Sequence, residues 1–93
     1  MDDEVIVLFK AFEWDSANIE HVSRHNVAPD EVEEACVNRP YVRKTIEGRY
    51  LVYGVTDDGR HLFIVGINKS RGVFRTITAR DMVEREKSTH KRR

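Results

Sequence analysis

The chain has a single cysteine, two prolines and five glycines among its 93 residues. One cysteine cannot close an internal disulfide, so Cys36 reads as a small buried hydrophobe in a reducing compartment. No partner base is placed beside it to make it a nucleophile. No apolar run approaches the roughly 20 residues that span a bilayer. The N-terminal MDDEVIVLFK is acidic and lacks the basic start of a secretory signal. The expectation is a cytoplasmic protein without membrane association. There is no linker, repeat or low-complexity stretch, which leaves one domain over residues 1–93. A P-loop and a Gly-rich dinucleotide fingerprint are both missing. So is metal-ligand spacing. His21 and His25 stand four apart on one expected helix, but HVSRH lacks the glutamate of a zincin and no third ligand follows. Neither a metal nor a cofactor is expected.

What is present is an apolar fraction of 40%, enough for one small core and too much for a disordered chain. Charge is unevenly placed. Residues 1–40 carry three basic side chains (Lys10, Arg24, Arg39) against ten acidic ones, a net of −7; residues 41–93 carry thirteen against six, a net of +7. Two readings of this split stay open: a basic face for a polyanion or an acidic partner, or a salt-bridged, solvated surface.

The pattern along the chain predicts the order βααββββα. Val5 to Phe9 is a β-rich apolar run and reads as a strand ending near Phe12. Asp15 is a good N-cap for a short helix to His25, with Ile19 and Val22 on its apolar stripe and Asn26 suited to a left-handed stop. Pro29 opens a second helix at its first position. Acids follow in its first turn, and Val27 and Val32 are spaced as a hydrophobic staple. That helix reaches about Val37 and stops before Pro40. From Tyr41 the period becomes that of strands: Tyr41 to Ile46 and Arg49 to Thr56 around the Glu47-Gly48 turn, His61 to Ile67 after Asp57-Asp58-Gly59, and Val73 to Thr78. His61 to Ile67 is apolar on both faces, as a central covered strand would be. A terminal helix is expected from Arg80 to about His90, trailing into Lys91-Arg92-Arg93. The fold class is α+β, an antiparallel sheet of consecutive hairpins with helices gathered at one face or end.

The basic second half carries the chemistry. Arg60, Arg75 and Arg80 fall on the last two strands or their ends, and arginine binds phosphate through a planar fork. Tyr41, Tyr50 and Tyr53 offer rings on which bases could stack. RNA also permits a reaction without metal: the 2′-hydroxyl attacks the adjacent phosphate, a base takes its proton, cations stabilise the phosphorane and an acid protonates the leaving 5′-oxygen. Histidine suits the proton transfers and arginine the charge. The candidate set is His25, Arg60, Arg75, Arg80 and His90, with Arg24, Tyr50 and Tyr53 as further RNA contacts.

Phe12-Glu13-Trp14-Asp15, Arg24-His25-Asn26-Val27 and Glu33-Glu34-Ala35 resemble the opening of the BrnT toxin family. Its pattern reads FEWD, then K-H-G-V, then an E-E-A helix. Gly59-Arg60-His61-Leu62 resembles its G-R-x-L strand start, and Arg75-Thr76-Ile77-Thr78-Ala79-Arg80 its R-I-I-S-A-R; Glu86-Lys87 stands where the family has E-R. The likeness runs from Phe12 to about His90. It implies a RelE-like fold and an endoribonuclease toxin of a type II toxin–antitoxin pair. Such a toxin slows growth until a ribbon-helix-helix antitoxin neutralises it in a hetero-oligomer. The alternative is a catalytically weak RNA-binding or regulatory relative. Four positions depart from the family pattern: Asn18 for lysine, Val22 for asparagine, Asn26 for glycine and His90 for tyrosine.

Overall fold

The computed structural model describes residues 4–5 and 9–92. Among these, three α-helices and six strands form an α+β fold around one mixed sheet. The strands are β1 (Glu4–Val5), β2 (Ala11–Glu13), β3 (Tyr41–Lys44), β4 (Arg49–Val55), β5 (His61–Asn68) and β6 (Val73–Asp81). The helices are α1 (Ser16–Ser23), α2 (Pro29–Val37) and α3 (Glu84–Arg92). Across the sheet the order is β1-β3-β4-β5-β6-β2. None of the described helices is long and apolar enough to cross a membrane.

Local chemistry explains most boundaries. At the head of α1, Asp15 Oδ1 accepts from the backbone N–H groups of Ala17 and Asn18 at 3.0 and 3.2 Å, and the Asp15 N–H donates to Asn18 Oδ1 at 2.8 Å. This reciprocal pair satisfies donors that a helix start leaves open. Asn26 ends the helix with φ of 58°. The Val27 N–H donates to the Val22 carbonyl at 3.1 Å and the Asn26 N–H to that of Ser23 at 3.0 Å, a Schellman closure with Val22 and Val27 buried as its apolar contact. In α2, Pro29 takes the first position and Val27 and Val32 are both buried. Its head lacks a capping side chain, and Glu31 Oε1 instead accepts from the Ala28 N–H at 3.0 Å. Gly48 and Gly59 make the two predicted turns with φ of 89° and 87°, a region glycine enters without penalty.

Three expectations are corrected. The single N-terminal strand is in fact two short ones on opposite edges, with residues 6–8 of the predicted run outside the described residues. β1 pairs antiparallel with β3, while β2 pairs parallel with β6. The sheet is therefore mixed rather than antiparallel. Phe9 and Phe12 gain the Phe74 ring at 4.5 and 6.2 Å in this arrangement. The terminal helix starts later than Arg80. Ala79, Arg80 and Asp81 still pair with Ile64, Phe63 and Leu62, so strand pairing overrides the helical pattern there. α3 begins instead where Glu86 Oε1 accepts from the Val83 N–H at 2.9 Å.

The main core lies between one sheet face and α1 and α2. Leu62, Ile64 and Phe74 of the sheet meet Val22 and Val32 of the helices there, all five fully buried. α2 crosses β4 so closely that a Cβ at Gly54 would collide with the Ala35 carbonyl oxygen. β5 is central, as expected, but alternates: Leu62, Ile64 and Gly66 are buried, while Phe63, Val65 and Ile67 on the other face are only half-buried.

Candidate nucleic-acid interface

Among the described residues, the second sheet face is covered at one end by α3 and open beyond it. Strand register fixes which residues stand side by side, because same-face neighbours on paired strands lie about 4.8 Å apart. Nearest α3 is the row Tyr41, Tyr53, Phe63, Arg80. Next come Arg43, Leu51, Val65 and Thr78, and then Arg49, Ile67, Arg75 and Glu13. A half-buried apolar floor of Leu51, Val65 and Ile67 thus has arginines on its margins. A bulge between Val65 and Gly66 leaves Ile77 as the extra residue of β6, and so swings Arg75 and Arg80 onto the same face despite their odd and even numbers.

The row under α3 is already packed. Tyr53 contacts Tyr41 at 5.5 Å and Phe63 at 5.2 Å between ring centroids, and the Arg80 guanidinium lies 4.7 Å over Phe63. Glu86 of α3 accepts from both Arg80 Nη1 and Nη2 at 2.8 Å. Tyr53 is only 7% exposed, so stacking a base on it requires α3 to move. Tyr50 is on the opposite face, against the main core, with Lys44 Nζ 5.7 Å above its ring. The candidate bases and charges are likewise divided. Arg60 is on the helix side. Its guanidinium donates to Asp81 at 2.7 Å, to Glu31 at 3.0 Å and to the carbonyls of Asn26 and His25 at 2.8 and 3.4 Å. Arg75 donates to Asp15 at 3.0 Å, about 16 Å along β6 from Arg80 by strand rise. Arg24 is exposed and pairs with Glu20 one turn away at 3.6 Å. His25 lies near His21, ring to ring 6.3 Å, while His90 on α3 faces His61 at 6.0 Å.

These pairings hold the charges on. Hydrogen bonds to Asp81, Asp15 and Glu86, in that order, push Arg60, Arg75 and Arg80 above the usual arginine range. The same bonds hold Asp81, Asp15 and Glu86 below the usual carboxylate range. Burial pushes the Cys36 thiol far up, so at neutral pH it stays protonated and is a poor nucleophile. Among the described residues no three His, Cys, Asp or Glu side chains gather in a group able to hold a metal ion.

No family model, curated protein or solved structure matches the chain. Sequence reasoning missed Arg43, Arg49 and His61. For His61 the signal was available: it alternates with Phe63, Val65 and Ile67 and so shares their face. Arg43 and Arg49 needed the register across the Glu47-Gly48 hairpin, which sets Arg43 opposite Leu51.

Asn18, Val22 and Asn26, three of the four residues that differ from the BrnT pattern, have structural roles in this fold. Asn18 is 4% exposed; besides capping Asp15, its Nδ2 donates to the Glu13 and Thr76 carbonyls, both at 3.0 Å. It thereby ties α1 to β2 and β6. Val22 is fully buried in the core and Asn26 supplies the left-handed helix stop.

Proposed function

We propose that the chain acts on RNA as a BrnT-like toxin, binding it on the open sheet face and cutting it without a metal. The RelE-like strand arrangement that the sequence resemblance implies belongs to the same proposal. The observation carrying the reading is the cross-strand pattern in which Arg43, Arg49, Arg75 and Arg80 border the apolar floor of Leu51, Val65 and Ile67. Cations at the margin suit phosphates, and the floor suits base or ribose surfaces. A ribbon-helix-helix antitoxin would cover the same face and compete with RNA.

A second reading, RNA binding without cleavage, is favoured by one specific observation. Arg60, Arg75 and Arg80 are all engaged by carboxylates, so none stands unneutralised to stabilise a phosphorane. A single experiment separates the two. Labelled RNA is incubated with the protein in EDTA, with and without the small protein encoded next to it. The toxin reading expects shortened RNA ending in a 2′,3′-cyclic phosphate, suppressed by the partner. Bound but intact RNA supports the second reading, and RNA neither bound nor cut overturns both.

A further inference from the structure

One row beyond the packed Tyr53, Phe63 and Arg80, on the same sheet face, a cleft of about 670 Å³ is lined by His61, Glu84, Lys87, Ser88, His90 and Lys91. His61 comes from the first position of β5, which the sheet holds on both sides. The other five come from α3. The two imidazoles stand edge to face with centroids 6.0 Å apart. Lys87 and Lys91 are four residues apart and so share one stripe of the helix. Glu84 lines the same cleft and pairs with Lys87 at 3.6 Å, and Asp81 with its partner Arg60 lies at the end of β6 close to Lys87, whose charge helps hold Asp81 ionised.

Edge to face at 6.0 Å the rings leave no room for a phosphate between them, so a phosphate is reached from the cleft beside both. A proton-transfer group acts within about 2.6–3.2 Å of the atom it serves. Two imidazoles this far apart can each reach a different oxygen on one phosphorus atom. Imidazole is also the side chain suited to both taking and giving a proton near neutral pH. Lys91 and Lys87 supply positive charge for the remaining phosphate oxygens, Lys87 by exchanging its 3.6 Å surface pair with Glu84 for the phosphate. The arginines of the sheet can supply charge only.

Resting on the RNA reading above, we infer that this cleft is the phosphodiester-cleaving site, with His61 and His90 exchanging protons and Lys87 and Lys91 holding the phosphate. One imidazole takes the ribose 2′-hydroxyl proton as the bond from the 2′-oxygen to phosphorus forms. The other, starting protonated, gives its proton to the 5′-oxygen as the bond from phosphorus to that oxygen breaks. The products are a 2′,3′-cyclic phosphate and a 5′-hydroxyl. The pair ends with its protonation reversed, and exchange with water resets it. No redox partner or metal enters the balance. Since one ring must start neutral and the other charged, the rate peaks at intermediate pH.

The test uses the full chain on a short labelled RNA in EDTA, comparing wild type with His61→Ala, His90→Ala and, as a histidine lost elsewhere, His21→Ala. The two cleft variants are expected to cut about 10²–10⁴-fold more slowly while binding RNA as before, each losing one limb of the pH–rate profile. His21→Ala is expected to match wild type. If His61→Ala does not fold, His61→Gln keeps the shape and removes the proton transfer. Wild-type cutting by both cleft variants overturns the site and leaves the RNA reading standing, as does binding by wild type with no cutting at all. Wild-type protein that neither binds nor cuts RNA overturns the site and the RNA reading together.

Discussion

Arg60 illustrates how a residue type and a role can part company. In sequence it is a phosphate-binding candidate beside a turn. In the fold its guanidinium joins the end of α1, the head of α2 and the end of β6 through the bonds to Asn26, Glu31 and Asp81. Arg60→Ala should therefore lower unfolding stability by about 1.5–3 kcal/mol, the scale of hydrogen bonds to charged groups. RNA affinity of the folded fraction should be little changed. Denaturant titration beside a binding curve checks this, and a stable variant that loses RNA would return Arg60 to the interface. Asn18 makes the complementary case. Its side chain is buried and hydrogen-bonded at both ends, and Asn18→Lys would put a charge there while removing those bonds. It should destabilise by more than about 2 kcal/mol; a thermal melt at or above the wild-type midpoint would contradict the account of this position. Caps, the left-handed stop at Asn26 and the staple at Val27 and Val32 were legible because each is set within a few residues. Which acid meets Arg60 was not, since Glu31 and Asp81 lie 29 and 21 residues away.

At the scale of elements, the end of β6 and the start of α3 were the hardest to read. Thr78 to Arg80 have a helix-start pattern, but their backbone groups already have partners on β5, and a central ladder outweighs local preference. The N-terminal run failed for a related reason: nothing in five apolar residues says that the chain visits both sheet edges. α3 itself is polar throughout and depends on its contacts with the sheet, of which the pair between Glu86 and Arg80 is the most buried. Glu86→Gln should cost about 1–2 kcal/mol, at the lower end for charged hydrogen bonds because the Arg80 side chain is 38% exposed and screened. The pH dependence has a definite sign. Asp15, Asp81 and Glu86 have folded values depressed below the unfolded ones, so their contribution is complete at neutral pH and is lost as pH falls through those depressed values. Stability should be level above about pH 5 and decline below about pH 4, with a shallower acid limb in Glu86→Gln. An acid limb of unchanged depth in that variant would remove Glu86 from the explanation. Gly54 adds a test of how α2 is seated. Gly54→Ala meets backbone at Ala35, which cannot rotate away, and should cost about 3 kcal/mol in a chemical denaturation.

Over the whole molecule, the split of −7 and +7 between the two parts of the chain is partly accounted for by contacts within the fold. Part of it is internal complementarity. Acids from the first part engage cations from the second: Glu31 with Arg60, Asp15 with Arg75, and Glu13 with Lys69 at 3.0 Å. Of the other cations, Arg43 and Arg49 stand on the second sheet face, flanking Leu51 and Ile67. Composition alone left these alternatives open because it counts charges without saying which meet. The most direct test of the proposed RNA-binding surface is the slope of log affinity against log salt for one short RNA, measured for wild type and for Arg49→Ala. Release of counterions predicts a negative slope for wild type and a slope shallower by about one for the variant. A wild-type affinity that does not change across the salt series would contradict the account.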